Sequence, residues 1–164
     1  MDLQQLKKSL AAEAKAAGIC DEWYNYILDA PGKPRLLALY YGGFDFVKNN
    51  DYPSEPLRRE FDDIRKHYNI FEGEHIDKKN PKRLVAYKGT TGCIAYDGYG
   101  VGQIWVRPGA ELEVTAEGNS YVTIDVAEGA TVAVYAKDCS RIAVFMHGGN
   151  VKQRREGNAI ITNY

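Results

Sequence analysis

Residues 109–149 read GAELEVTAEGNSYVTIDVAEGATVAVYAKDCSRIAVFMHGG. A small residue returns every ten positions, and an apolar-polar alternation follows each one. The decade positions are Thr90, Gly100, Ala110, Ser120, Ala130, Ser140 and Asn150. Ahead of every second one stands a glycine: Gly89, Gly109, Gly129 and Gly149. In an extended segment, residues i, i+2 and i+4 share a face. The inward triplets are therefore Gly102/Ile104/Val106, Leu112/Val114/Ala116, Val122/Ile124/Val126, Val132/Val134/Ala136 and Ile142/Val144/Met146.

A register this regular fits a β-solenoid, in which each strand stacks on its equivalent one coil earlier. Small residues belong at the corners, where a side chain would crowd the next coil or φ must be positive. A twenty-residue glycine period over a ten-residue strand period gives two strands per coil. Leu112 then stacks near Val132, and Ile124 near Val144. About three and a half coils fit between residues 83 and 155. An antiparallel meander or sandwich is the alternative, with EGNS and AEGA as hairpin turns. It gives the same alternation but does not require every strand and turn to have equal length. The closing segment VKQRREGNAIITNY breaks the pattern. Decade counting puts Lys152 and Arg154 in the inward phase, a way to stop the stack; otherwise NAIITNY is a last strand that pairs with another chain.

Upstream, the period changes to that of helices. Leu3, Leu6, Leu10 and Ala14 share a helical face, with Asp2 as N-cap and Gly18 as stop. Asp21 is positioned to cap a second helix, EWYNYIL, and Lys33–Tyr41 forms a third before Gly42-Gly43. Ser54 is positioned to cap a fourth, whose buried stripe is Leu57, Phe61, Ile64 and Tyr68. Residues 72–82, EGEHIDKKNPK, lack an apolar period and read as a linker. The expected class is α+β. A small helical domain spans residues 1–71, and a short, parallel β-helix-like solenoid of ten-residue strand units spans residues 83–164. The helical half is a candidate cover for the first coil.

Composition narrows the function classes. With 164 residues, 45% hydrophobic and 26% charged, the chain supports a core. A net charge of -1 argues against a DNA-binding footprint. The helix-turn-helix look of AEAKAAGICDEWYNYIL has acidic Asp21 and Glu22 where a reader helix carries basic or amide groups, so a structural hairpin is the default. Cys20, Cys93 and Cys139 are odd in number and far apart, which favours a reducing compartment. His67, His75 and His147 have no ligand spacing with them, so no metal is expected, and no motif implies a cofactor. DGYGVG runs into a strand, unlike a phosphate loop, and reads as a corner. No apolar segment has the length of a membrane span or a signal peptide, so the expected location is the cytoplasm, or a virion.

The candidate surface is one outer face of the repeat. Trp105, Tyr121, Asp125, Arg141 and Phe145 point outward there, flanked by Arg107 and His147. Aromatics beside an Arg and an Asp suit a protein hot spot, a sugar platform or a base-stacking surface. The competing reading is that this face packs on the helical half. Glu111, Glu113, Thr115, Thr131, Ala133 and Tyr135 make a more polar opposite face. No nucleophile-base-orienter set is legible, so no catalytic residue is assigned.

GICDEWYNYIL, GGFDFVKNNDYPSEPLRREF and the strand repeat together resemble a family of uncharacterised, in part prophage-associated, Bacteroidetes proteins. The resemblance implies an accessory protein of a mobile element and carries no site residues. The expected function is non-catalytic binding or assembly, through a protein partner or as a homo-oligomer. The alternatives are a carbohydrate-binding or carbohydrate-active solenoid, with contacts from Asp125, Arg141 and His147, and a protein that sequesters a small nucleotide ligand through Arg107, Arg141 and Tyr121.

Overall fold

A computed structural model describes all residues, 1–164. The chain divides into two compact units, Met1–His67 and Tyr68–Tyr164.

The first unit is helical. α1 (Leu3–Ala16) begins with a capping box in which Asp2 accepts from the Gln5 backbone at 2.8 Å. Leu6, Leu10 and Ala14 are buried as their spacing predicts. α2 (Asp21–Asp29) starts one residue earlier than expected, with Cys20 at the cap position. The buried ammonium of Lys7 donates to the Ala30 carbonyl at 3.1 Å, where α2 ends. α3 is Lys33–Gly42 and α4 is Phe44–Asn50. α4 was not expected, because Gly42-Gly43 reads as a stop while the backbone bends there and resumes. The expected fourth helix is broken into α5 (Glu55–Arg59), turns, and a 3-10 segment at Arg65–Tyr68. Ser54 does not cap α5 with its side chain; its hydroxyl donates to Glu13 at 2.7 Å.

The second unit is a parallel β-solenoid. Its strands are β1 (Ile70–Glu72), β2 (His75–Lys79), β3 (Arg83–Tyr87), β4 (Thr91–Tyr96), β5 (Val101–Val106), β6 (Glu111–Ala116), β7 (Tyr121–Ala127), β8 (Thr131–Ala136), β9 (Arg141–His147), β10 (Asn150–Arg155) and β11 (Ile160–Asn163). Odd strands form one sheet in the order β1-β3-β5-β7-β9-β11, and even strands form the other. All named pairs are parallel. The meander is therefore excluded, since hairpins would pair sequence neighbours antiparallel. The stretch read as a linker holds β2 and most of the first coil; its inward Ile76 is buried among polar neighbours too short a run to show a period.

Two inward columns carry the core. Leu84, Ile104, Ile124 and Val144 stack along one sheet, and Ile94, Val114 and Val134 along the other. All seven are at most 2% exposed. Each such burial stabilises by roughly 1.5–3 kcal/mol before conformational entropy is subtracted. At the corners, Gly89, Gly109, Gly129 and Gly148 all have φ between 79° and 90°, a conformation that costs a side-chain-bearing residue about 1–2 kcal/mol.

The final coil departs from decade counting. Thr131 pairs with Glu111, twenty residues back, but Asn150 pairs with Thr131 and Ile160 with Arg141, nineteen residues back. Gly149 thus occupies the corner place of Ala130, and Ala159 that of Ser140. The slip reverses the inward phase of β10. Val151, Gln153 and Arg155 pair with the inward residues of β8, whereas Lys152 and Arg154 point outward, contrary to expectation. Polar residues do end the stack, but they are different ones. Asn163 donates to the Gln153 amide oxygen at 3.1 Å, and Gln153 returns a bond to Asn163. Gln153 continues the column of Val134, and Asn163 that of Val144. Met146 keeps its expected inward register, paired with Val126, yet is 42% exposed.

Candidate functional site

Register fixes what lies on the outer face of the odd-strand sheet. Parallel in-register strands bring equivalent residues of successive coils ~4.8 Å apart, so outward residues form columns along the solenoid. The first column is Val101, Tyr121, Arg141 and Ile160, and all four are exposed. The second is Gln103, Thr123, Ala143 and Thr162. The third runs Val85, Trp105, Asp125 and Phe145. Tyr164 extends it: its N–H donates to Val144 at 2.9 Å, and its carbonyl accepts from the Met146 N–H at 3.0 Å. A fourth column contains Arg107, Ala127 and His147.

Burial divides the seven candidates. Arg107 and Asp125 are buried and Trp105 is half-buried, while Tyr121, Arg141, Phe145 and His147 are exposed. Tyr121 and Arg141 are direct cross-strand neighbours, as are Asp125 and Phe145. His147 Nε2 lies 3.1 Å from Asp125 Oδ2. Although Asp125 occupies an outward strand position, the fold makes it a buried carboxylate facing an exposed imidazole.

The Asp125–His147 pair supplies two parts of a hydrolytic triad, a base and its orienting acid. The third part is missing, because the hydrogen bond of His147 goes to Asp125 and to no hydroxyl or thiol. Cys93 is on the other sheet, where burial and then the Glu113 carboxylate push its thiol pKa up, the opposite of nucleophile activation. No three His, Cys, Asp or Glu side chains converge to hold a metal ion. No helix is long and apolar enough to cross a membrane.

An exposed aromatic pair lies at the C-terminal end of this face. Phe145 and Tyr164 stack with centroids 4.9 Å apart and planes 14° apart. Phe145 is 38% exposed, Met146 42%, Ile160 45% and Tyr164 67%. Met146, Ile160 and Tyr164 were not among the candidates. Ile160 and Tyr164 follow the register slip, so decade counting could not place them beside Arg141 and Phe145. A signal for the slip exists: EGNS at 117–120 recurs as EGNA at 156–159, one residue short of two coils.

Comparison of the chain with protein-family models, with curated proteins and with solved structures finds no match.

Proposed function

We propose that the protein is a non-catalytic binding module that recruits a protein partner through the exposed apolar end of its odd-strand sheet. The observation that carries this reading is the exposed, stacked pair Phe145 and Tyr164 on one rigid face, with exposed Ile160 in another outward column of the same sheet. Tyr121 and Arg141 continue it along the sheet. Tyr and Phe beside an Arg make a composition enriched at the centres of protein interfaces. A solenoid holds these groups with little conformational freedom, so little entropy is lost when a partner docks.

The alternatives have weaker support. A sugar platform uses open faces of aromatic rings, and the stack of Phe145 on Tyr164 takes up one face of each. A nucleotide site built on Arg107 and Arg141 needs both guanidinium groups on one surface, but Arg107 is buried and lies columns away from exposed Arg141. A role in a mobile element rests on the sequence resemblance alone.

The test is a Tyr121→Ser/Phe145→Ser double variant, assayed by affinity capture from the host beside the wild type. Loss of a specific, stoichiometric partner with an unchanged melting temperature supports the surface. Retention of the same partner at the same yield removes it.

A further inference from the structure

The final coil ends in two unpaired strand edges of unlike character. β10 pairs with β8 on one side and β11 with β9, and neither has a strand on its other side. β10 carries Lys152, Arg154 and Arg155; Arg154 lies over the Tyr135 ring and contacts Glu156 at 2.9 Å. β11 reads Ile160-Ile161-Thr162-Asn163, with no charge and no proline to block pairing. One edge repels a copy of itself, and the other repels nothing.

We infer that two copies of this chain pair end to end through this coil, β10 of each against β11 of the other. Two two-fold arrangements bring the coil ends together with antiparallel strands. An axis running between the sheets from one to the other sets β10 on β10 and stacks three like charges on three. An axis along the strands sets β10 on β11 and separates them. Like charges directly opposite are destabilising, so charge selects the second arrangement. The inward amides then fall into register as well. Gln153 and Asn163 already face each other across the lumen, and this axis lays each Gln153 over the partner copy's Asn163. An amide ladder continues where the hydrophobic columns stop. Thr162, next to Asn163 and exposed, falls over Arg154 of the second copy.

The area makes the dimer weak. Six residues at ~3.3 Å and two sheets ~10 Å apart, with flanking side chains, give roughly 400 Å² per copy, against the ~800 Å² per partner of a standard interface. Association is expected near ~100 µM rather than in the nanomolar range. This inference does not rest on the partner surface proposed above.

Sedimentation equilibrium on the full chain from ~5 to ~500 µM tests it. The average mass should rise from the 18.4 kDa monomer toward twice that value. Thr162→Glu gives each Arg154 an acid and should tighten the dimer about fivefold, whereas Thr162→Lys should weaken it at least ~10-fold. Both substitutions are at an exposed position, and circular dichroism confirms that the fold is kept. Tyr121→Ser should leave self-association unchanged while reducing partner capture, which separates the two proposals. A monomer at every concentration overturns the inference. So does a dimer indifferent to charge at residue 162, which would place the contact elsewhere.

Discussion

The hydroxyl of Tyr96 fills the space that a side chain on Gly102 would occupy. Tyr96 is 1% exposed, and its hydroxyl donates to the Pro81 carbonyl at 2.8 Å inside the first complete coil. Gly102 pairs with Val122, and the later coils carry Val122, Ile142 and Ile161 at that inward place. A Cβ there would collide with the Tyr96 ring and also meet the Pro81 carbonyl. Gly102→Ala is therefore expected to destabilise by about 1–3 kcal/mol, through overpacking. Tyr96→Phe keeps the volume but leaves a buried carbonyl short of a donor, costing about 1–2 kcal/mol. Urea unfolding checks both; an Ala variant as stable as the wild type contradicts this packing.

Thr90 is the polar member of a corner column continued by Ala110 and Ala130. Its Oγ1 is buried without a hydrogen-bond partner. Thr90→Val, which replaces the hydroxyl with a methyl, should be neutral or stabilise by up to ~1 kcal/mol. A clear loss in thermal unfolding would mean that the hydroxyl is bonded in solution.

Asp138 has φ 60° at a corner where the preceding coil has Gly118. Its carboxylate accepts the Gly118 N–H at 2.9 Å, so the side chain that makes the conformation costly also bonds the neighbouring coil. Asp138→Ala keeps the strain and loses the bond, an expected cost of about 1–2 kcal/mol. Asp138→Gly relieves the strain and should cost less. The reverse order in denaturant midpoints would contradict this division.

The Lys79 ammonium, with help from the Asn80 amide, holds the Asp97 carboxyl below its ordinary 3.8. A folded pKa below the unfolded one means the contribution to stability is full above the unfolded value, roughly 3.9, and is lost as pH falls through the folded one. In Lys79→Ala, the Asp97 pKa read by NMR should rise toward the ordinary value. An unmoved titration would show that the pair is not formed in solution.

The slip at the last corner is testable by shifting the strand that follows it. Deleting Asn150 moves each residue of β10 back one place, so that Lys152 and Arg154 take the inward places of Val151 and Gln153. Amide protection in β10 and β11 should fall at least ~100-fold while β5 to β8 stay protected. Uniform protection would contradict the register.

The solenoid was legible because Val122, Ile124 and their equivalents repeat without interruption, and stacking tolerates little else. The linker reading failed at β2, where a single inward residue, Ile76, is too little to show a period. The end of the solenoid was misread for a similar reason: a one-residue deletion preserves alternation but inverts its phase, and only the EGNS/EGNA match marks it. In the candidate surface, alternation correctly sent Tyr121, Arg141 and Phe145 outward. Burial of Arg107 and Asp125 depends on packing beyond the strand, which a period of two does not encode. Tyr164 reaches Phe145 only through the slipped register.

The most direct test of the partner surface is site-specific photo-crosslinking in the host. A photoreactive phenylalanine analogue replaces Tyr121 on the apolar face or Glu111 on the opposite sheet, both of them exposed. The account predicts one recurrent protein adduct from position 121 and none from position 111. Equal labelling from both faces, or no adduct from position 121, would contradict it.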